Sequence, residues 1–423
     1  MLARAAILST GDELTTGRIV DTNANWLADK LFELGVDVTA VLTVGDYPER
    51  LEWAWRQAIA QADLVISTGG IGPTADDLTS ETVARVAGVP LVMHEESAER
   101  IRGFFAKANR PMPANNLRQA MFPQGAEVVP NPLGTAPGYR LAVGAAHLVV
   151  LPGVPREMKP MVEDTVLPWV RSQRGGEVYL ARVFQTFGIT ESGLDELVAG
   201  VVAPEEGRIS FRASFPEVSL RVVVHGQPEE AARRIEVVAA RLRERLGPCA
   251  YGEGAVTMQE MVGRALGAKG LTLAVAESCT GGLVGHRLTE VPGSSAWLRG
   301  GVVAYANDVK RQLLGVRQET LERHGAVSEE AAGEMADGVR RALGTDLGIG
   351  ITGVAGPSGG TPEKPVGTVC FGLSRQEGTV THRYPLWGTR DWVKLLASQI
   401  ALDWVRRAAL GLEVPDSQFF RKR

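Results

Sequence analysis

Cysteine and histidine are scarce in this 423-residue chain, with three cysteines (Cys249, Cys279, Cys370) and six histidines. Three widely scattered cysteines exclude a disulfide framework and a cysteine-rich zinc site, and they fit the reducing cytoplasm. Charge of one sign is lacking too. A net charge of −4 gives no general attraction to nucleic acid or membrane, so only local basic pockets are left for anions. Long apolar runs are missing: the stretch 141–154 is broken by Gly144, His147 and Pro152 and is too short to span a bilayer. Short repeats and low-complexity tracts are absent. Residues 1–9 read as a strand and not as a cleavable leader. What is there is a globular composition, 44% hydrophobic and 22% charged, and a length that calls for about three domains.

Residues 1–172 alternate strand and helix. Residues 5–8, 36–42, 63–67 and 147–151 read as strands. Leu27, Leu31 and Leu34 share a helix face, residues 51–60 form the next helix, 78–87 end at Gly88, and 156–170 follow Pro155. Such alternation predicts a parallel sheet covered on both faces, with ligands beyond the carboxyl ends of its strands. A polar stretch at 171–176 closes this domain. Residues 173–250 read strand, helix, strand, strand, helix. Residues 251–423 again alternate helix and strand and end in a frayed tail over 415–423. The fold class is therefore α/β: two three-layer domains with mostly parallel sheets, joined by a small α+β module.

Four loops at strand ends of the first domain carry unusual residues. They are Gly11-Asp12-Glu13-Leu14 with Asp21-Thr22-Asn23, the run from Gly69 to Asp77, the run from Asn131 to Gly138, and Pro152-Gly153-Val154-Pro155-Arg156-Glu157. Glycines let consecutive N–H groups approach a phosphate. Carboxylates beside such a nest repel a phosphate unless a hard divalent cation lies between them. Glycine and aspartate also form ordinary turns and caps.

In the last domain the apolar run 271–276 breaks into Glu277-Ser278-Cys279-Thr280-Gly281-Gly282 before a helical pattern at 283–288. A strand that turns into a helix start through small residues gathers N–H groups and a hydroxyl at one spot. Ser278 is outside a Gly-x-Ser-x-Gly elbow, and His286 lies inside the following helix, which disfavours a serine–histidine pair. A serine–lysine arrangement is the remaining common solution. Tyr305 at a strand end and Lys310 in the first turn of the next helix, capped by Asn307 or Asp308, would face the same crevice. For Lys310 to act as a base its pKa must fall well below the ordinary lysine value, through burial or a nearby cation. Arg390 is a candidate for that cation or for holding a substrate phosphate. Tyr305 as a proton relay beside a charged Lys310 is the other arrangement. The loop from Thr352 to Gly360 supplies further N–H groups, and Cys279 is a rival nucleophile.

Taken together, these motifs resemble the competence/damage-inducible CinA family, whose first domain has a molybdopterin-binding-like fold. The resemblance implies metal-dependent hydrolysis of ADP-ribose to AMP and ribose 5-phosphate in the first domain, with magnesium, cobalt or a similar ion. Asp12, Asp21, Asp76, Asp77 and Glu157 are then the metal or water-activating residues. Gly69, Gly70, Gly72, Pro73, Thr74, Gly134, Thr135 and Gly153 would contact phosphate or ribose. Molybdopterin is the alternative ligand for this half, bound without turnover. The middle module resembles a KH-like domain, but Gly188 and Gly193 are too far apart for a Gly-x-x-Gly loop, so nucleic acid is not expected.

The last domain resembles nicotinamide-nucleotide amidases, which convert nicotinamide mononucleotide to nicotinic acid mononucleotide and ammonia without a cofactor. By that resemblance Ser278 is the nucleophile, Lys310 the base, Tyr305 a proton-transfer aid, and Arg390 and Thr352 complete the site. Glu277, Cys279, Thr280, Gly281, Gly282, Gly353 and Gly356 would line the substrate. The resemblance also implies a homodimer and no membrane partner. A partner-binding factor in DNA uptake is the reading from another class.

Overall fold

The computed structural model describes residues 2–107, 109–173 and 177–415. Residues 174–176 of the expected boundary at 171–176, and residues 416–423 of the expected tail at 415–423, lie outside the described residues. Two compact units are present, residues 1–181 with 224–235, and residues 182–223 with 236–423.

In the first unit, β1 (Arg4–Thr10), β2 (Asp37–Val44) and β3 (Leu64–Thr68) belong to the main sheet. A separate antiparallel ribbon holds β4 (Leu91–Met93) and β5 (Met121–Pro123), and β6 (Glu127–Val129), β7 (Gly138–Val143) and β8 (Ala146–Leu151) complete the main sheet. Its order is β2-β1-β3-β8-β7-β6. The first four strands pair parallel, and β7 is reversed, pairing antiparallel with both β8 and β6. Ala5, Ala6, Ile7 and Leu8 are all fully buried, as expected for a strand covered on both faces. One face packs Ile7, Ile66, Leu27 and Met158 under the helices Thr22–Glu33 and Pro155–Met161. The other packs Leu8, Val65, Val150 and Trp55 under the helix Pro48–Gln61. Gly88 closes the helix Thr79–Ala87 at φ 70°, a left-handed position that favours glycine. From Pro155 the helix continues through a π turn at Val162–Val166 to Ser172.

The middle residues run β9 (Val178–Phe187), the helix Glu191–Val198, β10 (Arg208–Ser214), β11 (Glu217–Gly226) and the helix Pro228–Leu246, followed by β12 (Ala250–Glu253). The order matches the expected strand–helix–strand–strand–helix, with β12 as an addition. β10 pairs with β11 as an antiparallel hairpin from Arg208↔Val223 to Ser214↔Glu217.

The second unit's main sheet contains β13 (Leu273–Glu277), β14 (Leu298–Val303), β15 (Leu347–Gly353), β16 (Thr368–Arg375) and β17 (Gly378–Pro385), in the order β14-β13-β15-β16-β17. Three strands are parallel and the hairpin β16–β17 adds antiparallel pairs. Helices Met258–Lys269 and Arg390–Leu410 cover one face, where Trp404 of the second helix packs with Val275, Ile349 and Phe371 of the sheet. The helix Glu329–Leu343 covers the other. It sits very low on the sheet: a Cβ added to Gly350 would lie 2.4 Å from the Ala332 carbonyl oxygen, and one on Gly372 also 2.4 Å from it. Only glycines in the sheet floor, facing Ala332, Gly333 and Ala336 in the helix, allow that approach. Among the described residues no helix is long and apolar enough to cross a membrane.

Candidate functional site

The turn after β13 is built by an internal anion. The Glu277 side chain is buried and accepts the N–H groups of Gly282 (3.0 Å), Val284 (3.1 Å) and Gly285 (2.8 Å). It therefore occupies the N-terminus of the helix Leu283–Thr289, where a ligand phosphate would otherwise sit. Gly281 and Gly282 make this wrap possible with φ of 64° and 94°, both left-handed. Glu277, expected to line substrate, instead shapes the turn from inside.

That wrap presents Ser278, which is 8% exposed. Its N–H donates to the Ile351 carbonyl on β15, tying the turn to the neighbouring strand. Lys310, 1% exposed, brings its Nζ to 3.0 Å from Ser278 Oγ, 2.7 Å from the Ala304 carbonyl and 3.5 Å from the Tyr305 carbonyl. Lys310 Nζ is within donating distance of two carbonyls and the serine hydroxyl, and once neutral it offers its lone pair to the serine proton instead. No carboxylate pairs with Lys310 among the described residues, and Glu277 is already taken by three N–H groups. Burial accordingly pushes the Lys310 amine below its ordinary value. The helix Asn307–Leu314 begins from Ala306, without a side-chain cap, so neither Asn307 nor Asp308 is the cap expected; Lys310 is in its first turn as expected.

Cys279 is buried next to the serine, and burial pushes its thiol up to about 12. A thiol held protonated is a poor nucleophile, which removes the rival to Ser278. Among the described residues no oxygen accepts from the backbone N–H of Cys279 or Thr280; both lie against the Cys279 sulfur, beside the serine. The Thr280 hydroxyl oxygen is buried without a hydrogen-bond partner. His286 points elsewhere, 3.5 Å from Glu290 on the helix surface.

Tyr305 is 60% exposed, and its phenol oxygen accepts from Arg390 Nη2 at 2.7 Å. Arg390 Nη1 donates to the Gly356 carbonyl at 2.8 Å, joining the Thr352 loop to Tyr305. The Thr352 hydroxyl donates to the Ala326 carbonyl at 2.7 Å, and the Val354 N–H to the Thr368 carbonyl at 2.8 Å. These groups of the loop are thus engaged internally, and Gly353 sits against the Thr368 carbonyl of β16. Lys394 was not foreseen from the sequence. It stands one helical turn beyond Arg390, and a Cβ on Gly281 would lie 3.9 Å from its Nζ. A cavity of about 680 Å³, lined by Arg317, His324, Glu329, Asp337 and Lys364 among others, lies elsewhere in this unit.

The first unit has a cavity of about 570 Å³ beyond the carboxyl ends of its parallel strands. Gly69, Gly70, Gly72, Pro73, Thr135 and Gly153 line it, as do the carboxylates of Glu13, Asp46, Asp76, Asp77 and Glu157. Asp12 stands behind Asp46. Each takes the other's backbone N–H, at 3.1 and 3.2 Å. Burial, then the charges of Asp12, Glu13 and Asp76, raise the Asp46 carboxyl above its ordinary value, against the Asp12 N–H, which lowers it. Asp46 was not singled out from sequence, although Gly45-Asp46 after β2 repeats the Gly11-Asp12 pattern after β1.

The remaining acidic candidates have other partners. Asp21 caps the helix Thr22–Glu33 through the Ala24 N–H at 2.9 Å. Asp77 accepts from both the N–H (2.8 Å) and the hydroxyl (2.5 Å) of Thr74. Glu157 accepts from Asn131 Nδ2 at 2.7 Å, in contact with Gly134. Among the described residues no three His, Cys, Asp or Glu side chains stand close enough to hold a metal by themselves. An ion at Asp46 would need oxygens from phosphate and water to complete its shell. The negative charges of Asp12, Glu13 and Asp76 around the Asp46 carboxyl fit such a site.

Comparison with known proteins agrees in domain order. Residues 6–172 match a probable molybdopterin binding domain, 181–252 the damage-inducible protein CinA KH domain, and 255–409 the CinA C-terminal domain. A CinA-like protein of Anaeromyxobacter dehalogenans is 47% identical over 409 residues, covering 95% of this chain and 98% of that protein. A CinA-like protein of Dictyoglomus thermophilum is 44% identical over 411 residues, covering 97% and 100%. Among solved structures, the competence damage-inducible protein A of Klebsiella pneumoniae is 36% identical, with a TM-score of 0.36, covering 37% of this chain and 97% of that one. With a serine–lysine turn in one unit, a glycine-and-carboxylate cavity in the other, and relatives alike along nearly their whole length, the chain belongs to the competence/damage-inducible CinA family.

Proposed function

We propose that the second unit is an amidohydrolase that converts nicotinamide mononucleotide to nicotinic acid mononucleotide and ammonia. The observation that carries this reading is the 3.0 Å contact between Ser278 Oγ and a buried Lys310 amine without a counter-ion. Neutral Lys310 takes the serine proton as Oγ attacks the carboxamide carbon. The N–H groups of Cys279 and Thr280 are the candidate donors to the oxyanion, an interaction typically worth about 10²–10³ in rate per donor. Lys310 then returns the proton to the departing ammonia, and water releases the acid from Ser278 through the same pair. Direct contact of Lys310 with Ser278 supports lysine over Tyr305 as the immediate base. Arg390 holds the phenol oxygen of Tyr305 as an acceptor, which leaves the phenol proton free for the substrate.

For the first unit the reading is a metal-dependent hydrolase of ADP-ribose, giving AMP and ribose 5-phosphate. Asp46, in a cavity also lined by Glu13 and Asp76, would hold the divalent cation together with phosphate and water oxygens, and the cation when bound would offset the charge of the pyrophosphate. Gly69, Gly70 and Gly72 offer close backbone approach, and Thr74 orders the loop through Asp77. A second reading, pterin or nucleotide binding without turnover, is favoured by the molybdopterin-binding description of the matched domain. A homodimer in the cytoplasm belongs to the proposal as well, open to test by sedimentation.

The decisive experiment follows ammonia release from nicotinamide mononucleotide by the parent protein and by Ser278→Ala. Release by the parent and loss in the variant are expected. No release by the parent, or undiminished release by the variant, overturns the amidase reading.

A further inference from the structure

A mononucleotide substrate carries a phosphate dianion, and the second unit has to hold it near Ser278. The usual place, the N-terminus of the helix after the turn, is closed: Glu277 accepts the N–H groups of Gly282, Val284 and Gly285. Lys310 is buried, with its nitrogen enclosed by Ser278 and two carbonyls. Arg390 is committed to the Tyr305 phenol and the Gly356 carbonyl. The three obvious anion holders at the turn are thereby accounted for.

Lys394 is the cation left. It is half-buried, and no hydrogen bond or ion pair engages it among the described residues. It lies four residues after Arg390 on the helix Arg390–Leu410, so the two side chains leave the same helix face. Its Nζ reaches the nucleophile turn, since a methyl on Gly281 would come within 3.9 Å of it. Gly281 has no side chain to screen that charge from a ligand in the crevice. An ammonium is a compact point charge with three rotatable donors, suited to a phosphate.

Resting on the amidase reading, we propose that Lys394 binds the 5′-phosphate of the substrate and so confers preference for a phosphorylated riboside over the free one. The helix beginning at Arg390 would then serve both ends of the ligand, Arg390 through Tyr305 at the reacting end and Lys394 at the phosphate.

The test measures binding by calorimetry in the Ser278→Ala background, where nicotinamide mononucleotide persists unhydrolysed. Adding Lys394→Met is expected to weaken nicotinamide mononucleotide by about 10- to 100-fold, the loss of one charge-assisted contact. Nicotinamide riboside, which lacks the phosphate, should weaken far less, and Lys394→Arg should recover most of the loss. Equal weakening of both ligands, or unchanged affinity for the nucleotide, overturns the assignment. The two readings fail separately. Absence of ammonia release by the parent protein defeats the amidase reading, whereas turnover by the parent with an unaltered Lys394→Met affinity defeats only the role of Lys394.

Discussion

Replacing Lys310 by methionine tests catalysis and stability through separate readouts. Methionine fills a similar volume but offers no lone pair to Ser278 Oγ, now 3.0 Å from the amine. Loss of a general base typically lowers turnover about 10²–10⁴-fold, roughly 2.7–5.4 kcal/mol of barrier. Folding responds differently. Burial lowers the Lys310 pKa below the 10.5 of an ordinary lysine. Between that lowered value and 10.5 the unfolded chain binds one more proton than the folded chain, so the parent gains stability as pH rises. The slope from this group is at most about 1.4 kcal/mol per pH unit. Below the window the folded protein carries an unpaired buried ammonium and is penalised. The variant has no such dependence. It also leaves the buried Ala304 carbonyl without its donor, a pH-independent cost of about 1–3 kcal/mol. Urea unfolding of the two proteins from pH 6 to 10 should therefore show the parent's advantage growing with pH, while ammonia release by the parent climbs over its acidic limb. A stability difference that is flat across this range, or a variant with parental turnover, refutes the neutral-amine argument.

Three further outcomes follow from the same geometry. Cys279→Ala should lose little ammonia release, and iodoacetamide at pH 8 should leave the parent active, because a thiol pushed up to about 12 is almost wholly protonated there; rapid inactivation through Cys279 contradicts this. Glu277→Gln places an amide against three backbone donors and should cost about 1.5–3 kcal/mol for each charged bond lost, with faster hydrogen exchange at Gly282, Val284 and Gly285; unchanged exchange contradicts the internal-anion reading. In the first unit, EDTA should abolish ADP-ribose cleavage, and Asp46→Asn should raise the metal concentration needed to restore it; cleavage that survives EDTA counts against a bridging cation.

Much of the architecture could be read from residue patterns, because buried parallel strands such as Ala5–Leu8 and Leu273–Ala276 are apolar on both faces and give way to small and polar residues at their carboxyl ends. The serine–lysine pair was legible for the same reason, since strand ends of one parallel sheet converge on one edge. Other features left no such trace. The short strands β4 to β6 carry three residues each, too few for a period to register. Glu277 read as a substrate contact because nothing local says that a side chain will fold back onto the next helix. Lys394 lies inside a helix whose charges look like a solvated surface, and its meaning comes only from where Gly281 ends up. Asp46 had a visible signal, a glycine–aspartate pair after an apolar strand, and was passed over because it stood outside the recognised motifs.

The glycine floor under the helix Glu329–Leu343 has a consequence for how this unit can vary. At Gly348, Gly350 and Gly372 even a single methyl would collide with helix backbone or side-chain atoms at 2.3–2.4 Å, so helix and sheet form a seam with no slack in the closing direction. β15, which bonds the serine turn through Ile351, is one side of that seam. Diversity among proteins built this way is therefore expected to accumulate in the rim loops, while the spacing behind the nucleophile stays constant.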